Sequence, residues 1–275
     1  MFTRKNFVAT VLSILFLAVI SQSAKGADKK PVLLYSRYFN AAGENRYLPE
    51  GNYTDILKFA REAGFELQVH SNELSNIALK GVDVVLIANP SDKAAGTNAT
   101  PHHFDAREVE QLVHFVKAGG GLILMGNQEN HNVDVAGSNR LLKNFGLELV
   151  DQYTDAKPIR LGTDHPLFPG LTWAYYTGDL VLLDPKSGAR PRVLIANDKT
   201  TPLGGPRNQE GALMAGAEPG KGRVVVVTDA GWLTNEALNG KGIGSVAIKG
   251  HDNFEIFRRM VLWAGGGLVP VSSPK

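Results

Sequence analysis

The densest run of hydrogen-bonding and titratable side chains is Asn127-Gln128-Glu129-Asn130-His131-Asn132, followed closely by Asp134. Amides and a carboxylate grouped this way could fix a polar ligand through paired hydrogen bonds. Tyr38, Tyr47 and Trp232 would add flat faces suited to a sugar or a peptide. Arg37 supplies a guanidinium beside Tyr38, and Asp229 a further carboxylate. The candidate ligand-binding set is therefore Arg37, Tyr38, Asn127, Glu129, His131, Asp229 and Trp232. The competing reading is a solvated loop whose Asn and Asp side chains cap the next helix and their own backbone.

Other chemistries find less support. His131 and Asp134 could ligate a metal, with His102, His103 or His251-Asp252 as partners, because imidazole and carboxylate suit zinc. His-x-x-Asp in a loop is a common spacing, so no metal site is assigned, and no cofactor is expected. Glu129, Asp134 and Asp229 could furnish two carboxylates for glycoside hydrolysis, but nothing in their spacing fixes a separation. No Gly-x-Ser-x-Gly elbow offers a serine nucleophile. Ser36 ends a strand and Ser138 opens a helix, where capping is the better explanation. Gly240-Lys241-Gly242-Ile243-Gly244 follows no strand, and Gly220-Lys221-Gly222 lacks the hydroxyl residue that would hold magnesium. Both read as turns. The chain has no cysteine, which removes thiolate nucleophiles and thiolate metal sites.

These residues need a frame to position them. Pro31–Ser36 is a short apolar run of buried-strand type. Tyr53–Ala63 carries Ile56, Leu57, Phe59, Ala60 and Ala63 as a helical stripe, ended by Gly64. Phe65–Val69 alternates as a second strand, and Val82–Ala88 is a third, stopped by Asn89-Pro90. Asp105 with Glu108 three residues on has the form of a capping box. The helix it opens bears Val109, Leu112, Val113 and Val116 on one face. Gly119-Gly120-Gly121 ends that helix, and Leu122–Met125 follows as a fourth strand. A further helix over 135–145 leads to a strand at Leu147–Val150. Strands alternating with helices at this spacing predict a parallel sheet with helices on both faces.

From Asp151 to Glu210 the pattern changes to brief apolar runs among Pro, Gly and Asp, which predicts an antiparallel β extension with long loops. Arg223–Thr228 is the most β-branched strand, and Phe254–Trp263 an amphipathic last helix. Asp252 stands where an N-cap would. In an open parallel sheet, ligands bind beyond the carboxyl ends of the strands. That rule selects the loops after Ser36, Ala88, Met125 and Thr228, which carry the candidate residues above.

Arg4 and Lys5, then the apolar run Phe7–Ile20, then Ala24-Lys25-Gly26, have the form of a signal peptide over 1–26 with cleavage before Ala27. The run is short for a permanent anchor, since a spanning helix needs roughly 20 apolar residues. No cysteine follows for a lipid anchor. The expected location is periplasmic or secreted, without a stable membrane anchor after cleavage. Removing Arg4, Lys5 and Lys25 from 29 basic residues leaves 26 against 27 acidic ones, a net of −1. No basic surface for nucleic acid is implied. Without disulfides, stability must come from a packed core, and residues 27–275 suffice for one large domain.

Three segments carry a family likeness: Phe115–Gly126, Gly137–Leu149 and Gly220–Gly266. In them the chain resembles the class I glutamine amidotransferase-like superfamily, and most nearly its non-catalytic exported branches in ABC-transport and gliding-motility accessory proteins. The resemblance implies an α/β fold: a flavodoxin-like three-layer sandwich with a mostly parallel sheet, here with an antiparallel β extension. The enzymes of that superfamily place a cysteine in a strained Gly-x-Cys-x-Gly turn and a His-x-Glu pair later. Here the turn region reads Met125-Gly126-Asn127-Gln128-Glu129, and no His-x-Glu occurs. Thiolate-dependent glutamine hydrolysis is therefore not expected. What remains is a binding protein for a glycan, a small molecule or a protein of the cell envelope. A carboxylate- or metal-dependent hydrolase and a scaffolding subunit are the alternatives.

Overall fold

Five strands form the parallel part of the sheet: the apolar β1 (Val32–Ser36), β3 (Val84–Ala88), β4 (Gly121–Met125) and β11 (Arg223–Val227), with the more polar β2 (Glu66–His70) at the edge. The computed structural model describes residues 30–40, 45–92, 101–127, 132–197, 211–243 and 246–267. The five strands are parallel and stand in the order β2-β1-β3-β4-β11. That is the flavodoxin order, with a reversal of winding between β1 and β3. β1, β3 and β4 are buried at every position. This is why they read as continuous apolar runs and not as alternating ones.

Alternate residues of each strand enter two cores. Leu33, Tyr35, Leu86, Ile123 and Val225 pack with α1 (Thr54–Glu62) and α5 (Asn253–Ala264). Leu34, Val85, Leu122, Leu124 and Val226 pack with α2 (Ala106–Ala118) and α3 (Val135–Leu142). The period-two geometry of a strand thus builds a helix–sheet–helix sandwich.

Local signals set the helix ends. The Asp105 carboxylate accepts from the Glu108 amide at 2.7 Å, and the Glu108 carboxylate accepts from the Asp105 amide at 3.3 Å. The predicted capping box is therefore present. Gly119 closes α2 at φ 126°, a backbone conformation that L side chains rarely adopt. Replacing Asp105 with alanine should remove about 1 kcal/mol of stability, measurable as a lower urea midpoint with unchanged slope.

The antiparallel extension adds β5 (Leu147–Thr154), β8 (Gly178–Leu183), β9 (Arg192–Ala196) and β10 (Ala212–Ala217) beyond β11. β10 pairs antiparallel with β11, and β8 and β9 share its other edge. A hairpin of β6 (Lys157–Arg160) and β7 (Thr172–Tyr175) stands outside the main sheet. A four-residue helix, α4 (Asn235–Leu238), follows β11.

Two expected caps are placed differently. Asp252 sits at the N-cap of α5, but its carboxylate accepts from the Thr172 amide at 2.8 Å. It anchors β7 instead of capping. Ser138 lies within α3 and is buried, and Asp134 is the residue that caps this helix. No helix among the described residues is long and apolar enough to cross a membrane.

Candidate functional site

In open sheets the general place for a ligand is the carboxyl end of the two strands between which the winding reverses, here β1 and β3. Asn40 holds this point together. Its buried side-chain amide donates to the Ala88 carbonyl at 2.7 Å and to the Asn89 carbonyl at 3.1 Å. Asn89 itself is buried at φ 45°, a left-handed conformation that costs a non-glycine residue about 1 kcal/mol or more. The Ser91 amide donates to the Phe39 carbonyl at 2.8 Å and completes the link between the two loops. Strain held by this much hydrogen bonding fixes the junction of the two loops that follow β1 and β3.

A layer of buried phenols lies beneath it. The Tyr35 hydroxyl donates to the Tyr47 carbonyl, and the Tyr53 hydroxyl to the carbonyl of Ala230. Burial pushes both phenols well above their ordinary range. They remain protonated donors. The Asn127 amide donates to the Tyr47 hydroxyl. Asn127 is thereby tied to the segment that follows β1, although its own loop belongs to β4.

The predicted ligand residues separate into three groups. Arg37 and Tyr38 follow β1 directly and are both half-buried. The Arg37 guanidinium pairs with Glu50 at 2.6 Å, and the Tyr38 ring stacks on His102 with centroids 4.1 Å apart. Asn127 is buried and tied to Tyr47. Glu129 and His131 lie outside the described residues.

Asp229 and Trp232 form the third group, and both are fully buried. The Asp229 carboxylate accepts from the Tyr176 amide at 2.8 Å and the Gly231 amide at 2.6 Å. Removal from water pushes this carboxyl up to about 7, and the backbone N–H groups aimed at it partly offset the rise. Trp232 meets Trp173 edge to face with centroids 5.6 Å apart. Tyr176 and Trp173 both come from the region between Asp151 and Glu210, which therefore covers the β11 end of the sheet. These two residues anchor that cover.

A second group of titratable side chains gathers at the rim. One donor atom each from Asp92, His103 and Asp134 lies within 4.8 Å of the others. His103 Nδ1 is 2.8 Å from Asp134 Oδ2, while Asp134 Oδ1 accepts from the Gly137 amide at 2.7 Å. Asp134 and His103 were both visible as candidates in the sequence; Asp92 was not. Its position depends on a bridge between Ser91 and Val133, which no local spacing announces. His251 lies elsewhere, bonded to the Ala237 carbonyl at 3.0 Å. His102 is committed to Tyr38.

Comparison with solved structures returns the same architecture. The N-terminal domain of mmIFT52 superposes with a TM-score of 0.60 at 16% identity, covering 85% of this chain and 97% of that one. A protein from Bacteroides uniformis described as ThuA-like gives 0.53 at 14% identity, covering 87% and 95%. A cytoplasmic protein from Salmonella typhimurium LT2 gives 0.53 at 12%, covering 85% and 99%. Identities this low establish the fold alone. No curated protein matches the chain in sequence. Residues 57–247 match the family described as Domain of unknown function (DUF4350), and the chain belongs to that family.

Proposed function

We propose that this protein is exported and binds a glycan of the cell envelope at the crevice between β1 and β3, without thiol chemistry. The observation that carries the reading is the side-chain set of the loop after β1. Within four residues that loop carries the Arg37 guanidinium, paired with Glu50, the Tyr38 ring, stacked on His102, and Asn40, which binds the end of β3. A sugar presents apolar C–H faces and hydroxyl edges together, and such a pairing of ring and polar groups matches both. The resemblance of the sequence to amidotransferase-like proteins would put Gly126-Asn127 where their nucleophile stands. With no cysteine in the chain, thiolate attack on an amide has no agent.

The test is calorimetric titration of the full mature chain with chitohexaose, maltohexaose and muropeptides. At least one should bind, and Tyr38→Ala should weaken it about five- to tenfold, consistent with about 1 kcal/mol for a lost ring contact. Tyr38 is only half-buried, so the variant should fold. Absence of binding by all three would remove the proposal. The hydrolase reading has its own support in the imidazole–carboxylate contact of His103 and Asp134. Shortened oligosaccharide products in the same cell would select it.

A further inference from the structure

We propose that Asp92, His103 and Asp134 form a binding site for a divalent metal ion of the zinc class. This does not rest on the glycan reading, because the metal is tested alone. The donor chemistry comes first. One imidazole with two carboxylates is a mixed nitrogen and oxygen set, which suits zinc and its transition-metal neighbours. Calcium and magnesium take oxygen ligands, so the imidazole argues against them.

The geometry is close to what such an ion needs. Zinc bound at about 2.0–2.2 Å to each donor places tetrahedral ligand atoms roughly 3.4 Å apart. The three donor atoms already lie within 4.8 Å of one another. His103 and Asp134, 2.8 Å apart, must open slightly and Asp92 must adjust to match, and both movements fall on exposed side chains. Asp92 and His103 are exposed, while Asp134 is buried and fixed. Rotations of two surface side chains would close the site on one immobile ligand.

The surroundings supply the support that a metal ligand ordinarily has. The second oxygen of Asp134 is held by the Gly137 amide, which orients the carboxylate. The segments bearing Asp92 and Asp134 are clamped by two backbone bonds. The Asp92 amide donates to the Asn132 carbonyl at 3.0 Å, and the Asp134 amide to the Pro90 carbonyl at 2.7 Å. Two carboxylates balance the charge of one dication. They also counter the partial positive charge at the start of α3. Three protein ligands leave a fourth position open to water or to a ligand entering the crevice.

The experiment uses the full chain, stripped of metal by a chelator and titrated with zinc chloride, with cobalt(II) absorption as an independent readout. One zinc ion should bind per chain, and cobalt should give a d–d spectrum of a site with nitrogen and oxygen donors. His103→Ala and Asp92→Asn should each weaken zinc binding at least tenfold and alter that spectrum. Both side chains are exposed, so both variants should fold. His114→Ala, on the exposed face of α2, should bind as wild type does. Failure of the wild-type chain to take up one zinc ion would overturn the site. So would unchanged affinity in both the His103→Ala and the Asp92→Asn variants.

Discussion

Replacing Trp232 with alanine is expected to lower the unfolding free energy by about 3–5 kcal/mol, the usual loss when a fully buried large aromatic is truncated. Trp232 is wholly inaccessible, and its edge-to-face partner Trp173 belongs to the β6–β7 hairpin. The Trp232 carbonyl also accepts from the Asn253 amide at 2.9 Å, which ties the turn to α5. A cavity here would loosen the hairpin, the β11 loop and the last helix together. Urea denaturation at fixed pH checks it. A loss below about 1 kcal/mol would mean that neighbouring side chains collapse into the space.

The second large effect is a pH dependence carried by Asp229. The unfolded chain loses this proton near 3.8 and the folded chain only near 7. Between those values the unfolded state holds fewer protons, so raising the pH favours unfolding. The slope from this group is about 1.4 kcal/mol per pH unit, and the total over roughly three units is about 4 kcal/mol. Below about pH 4 the penalty vanishes, and above about pH 7 it is complete. Comparison with Asp229→Asn isolates the group, since the variant has no proton to exchange there. The stability of wild type relative to this variant should fall from pH 4 to pH 7 and then level off. A difference that stays flat across pH 4–8 would show that the carboxyl ionises equally in both states. The ¹³C resonance of the carboxyl offers a direct check, with a midpoint near 7.

Much of the frame was legible in the sequence because burial on both faces leaves a plain signature. VLLYS, VVLIA and GLILM admit few readings other than internal strands. The capping box at Asp105 was legible for a different reason, since both of its bonds are local. The β extension was recognisable in kind, yet its hairpin was not, because β6 and β7 lie off the main sheet and their pairing spans a long loop. Candidate residues suffered from the same gap. The rule of strand ends led to Asp229 and Trp232, but the extension folds back over that end and buries them. Asp92 was missed because its proximity to Asp134 is created by two chain segments that are distant in sequence. Arg37 and Tyr38 fall beside the reversal of winding because they directly follow β1, which stands between β2 and β3.

The place of β11 has a consequence for the order in which the molecule can assemble. It is among the last strands to be synthesised, yet it pairs with β4 along Leu122–Met125 and with β10 on its other side. Roughly a hundred residues must be made after β4 before that partner exists, a separation that slows closure. A nascent chain ending before Gly220 therefore carries an apolar strand with a bare hydrogen-bonding edge. Such a fragment should self-associate or recruit a chaperone. Supplying residues 220–267 as a separate polypeptide should restore the missing strand and return the fragment to solution.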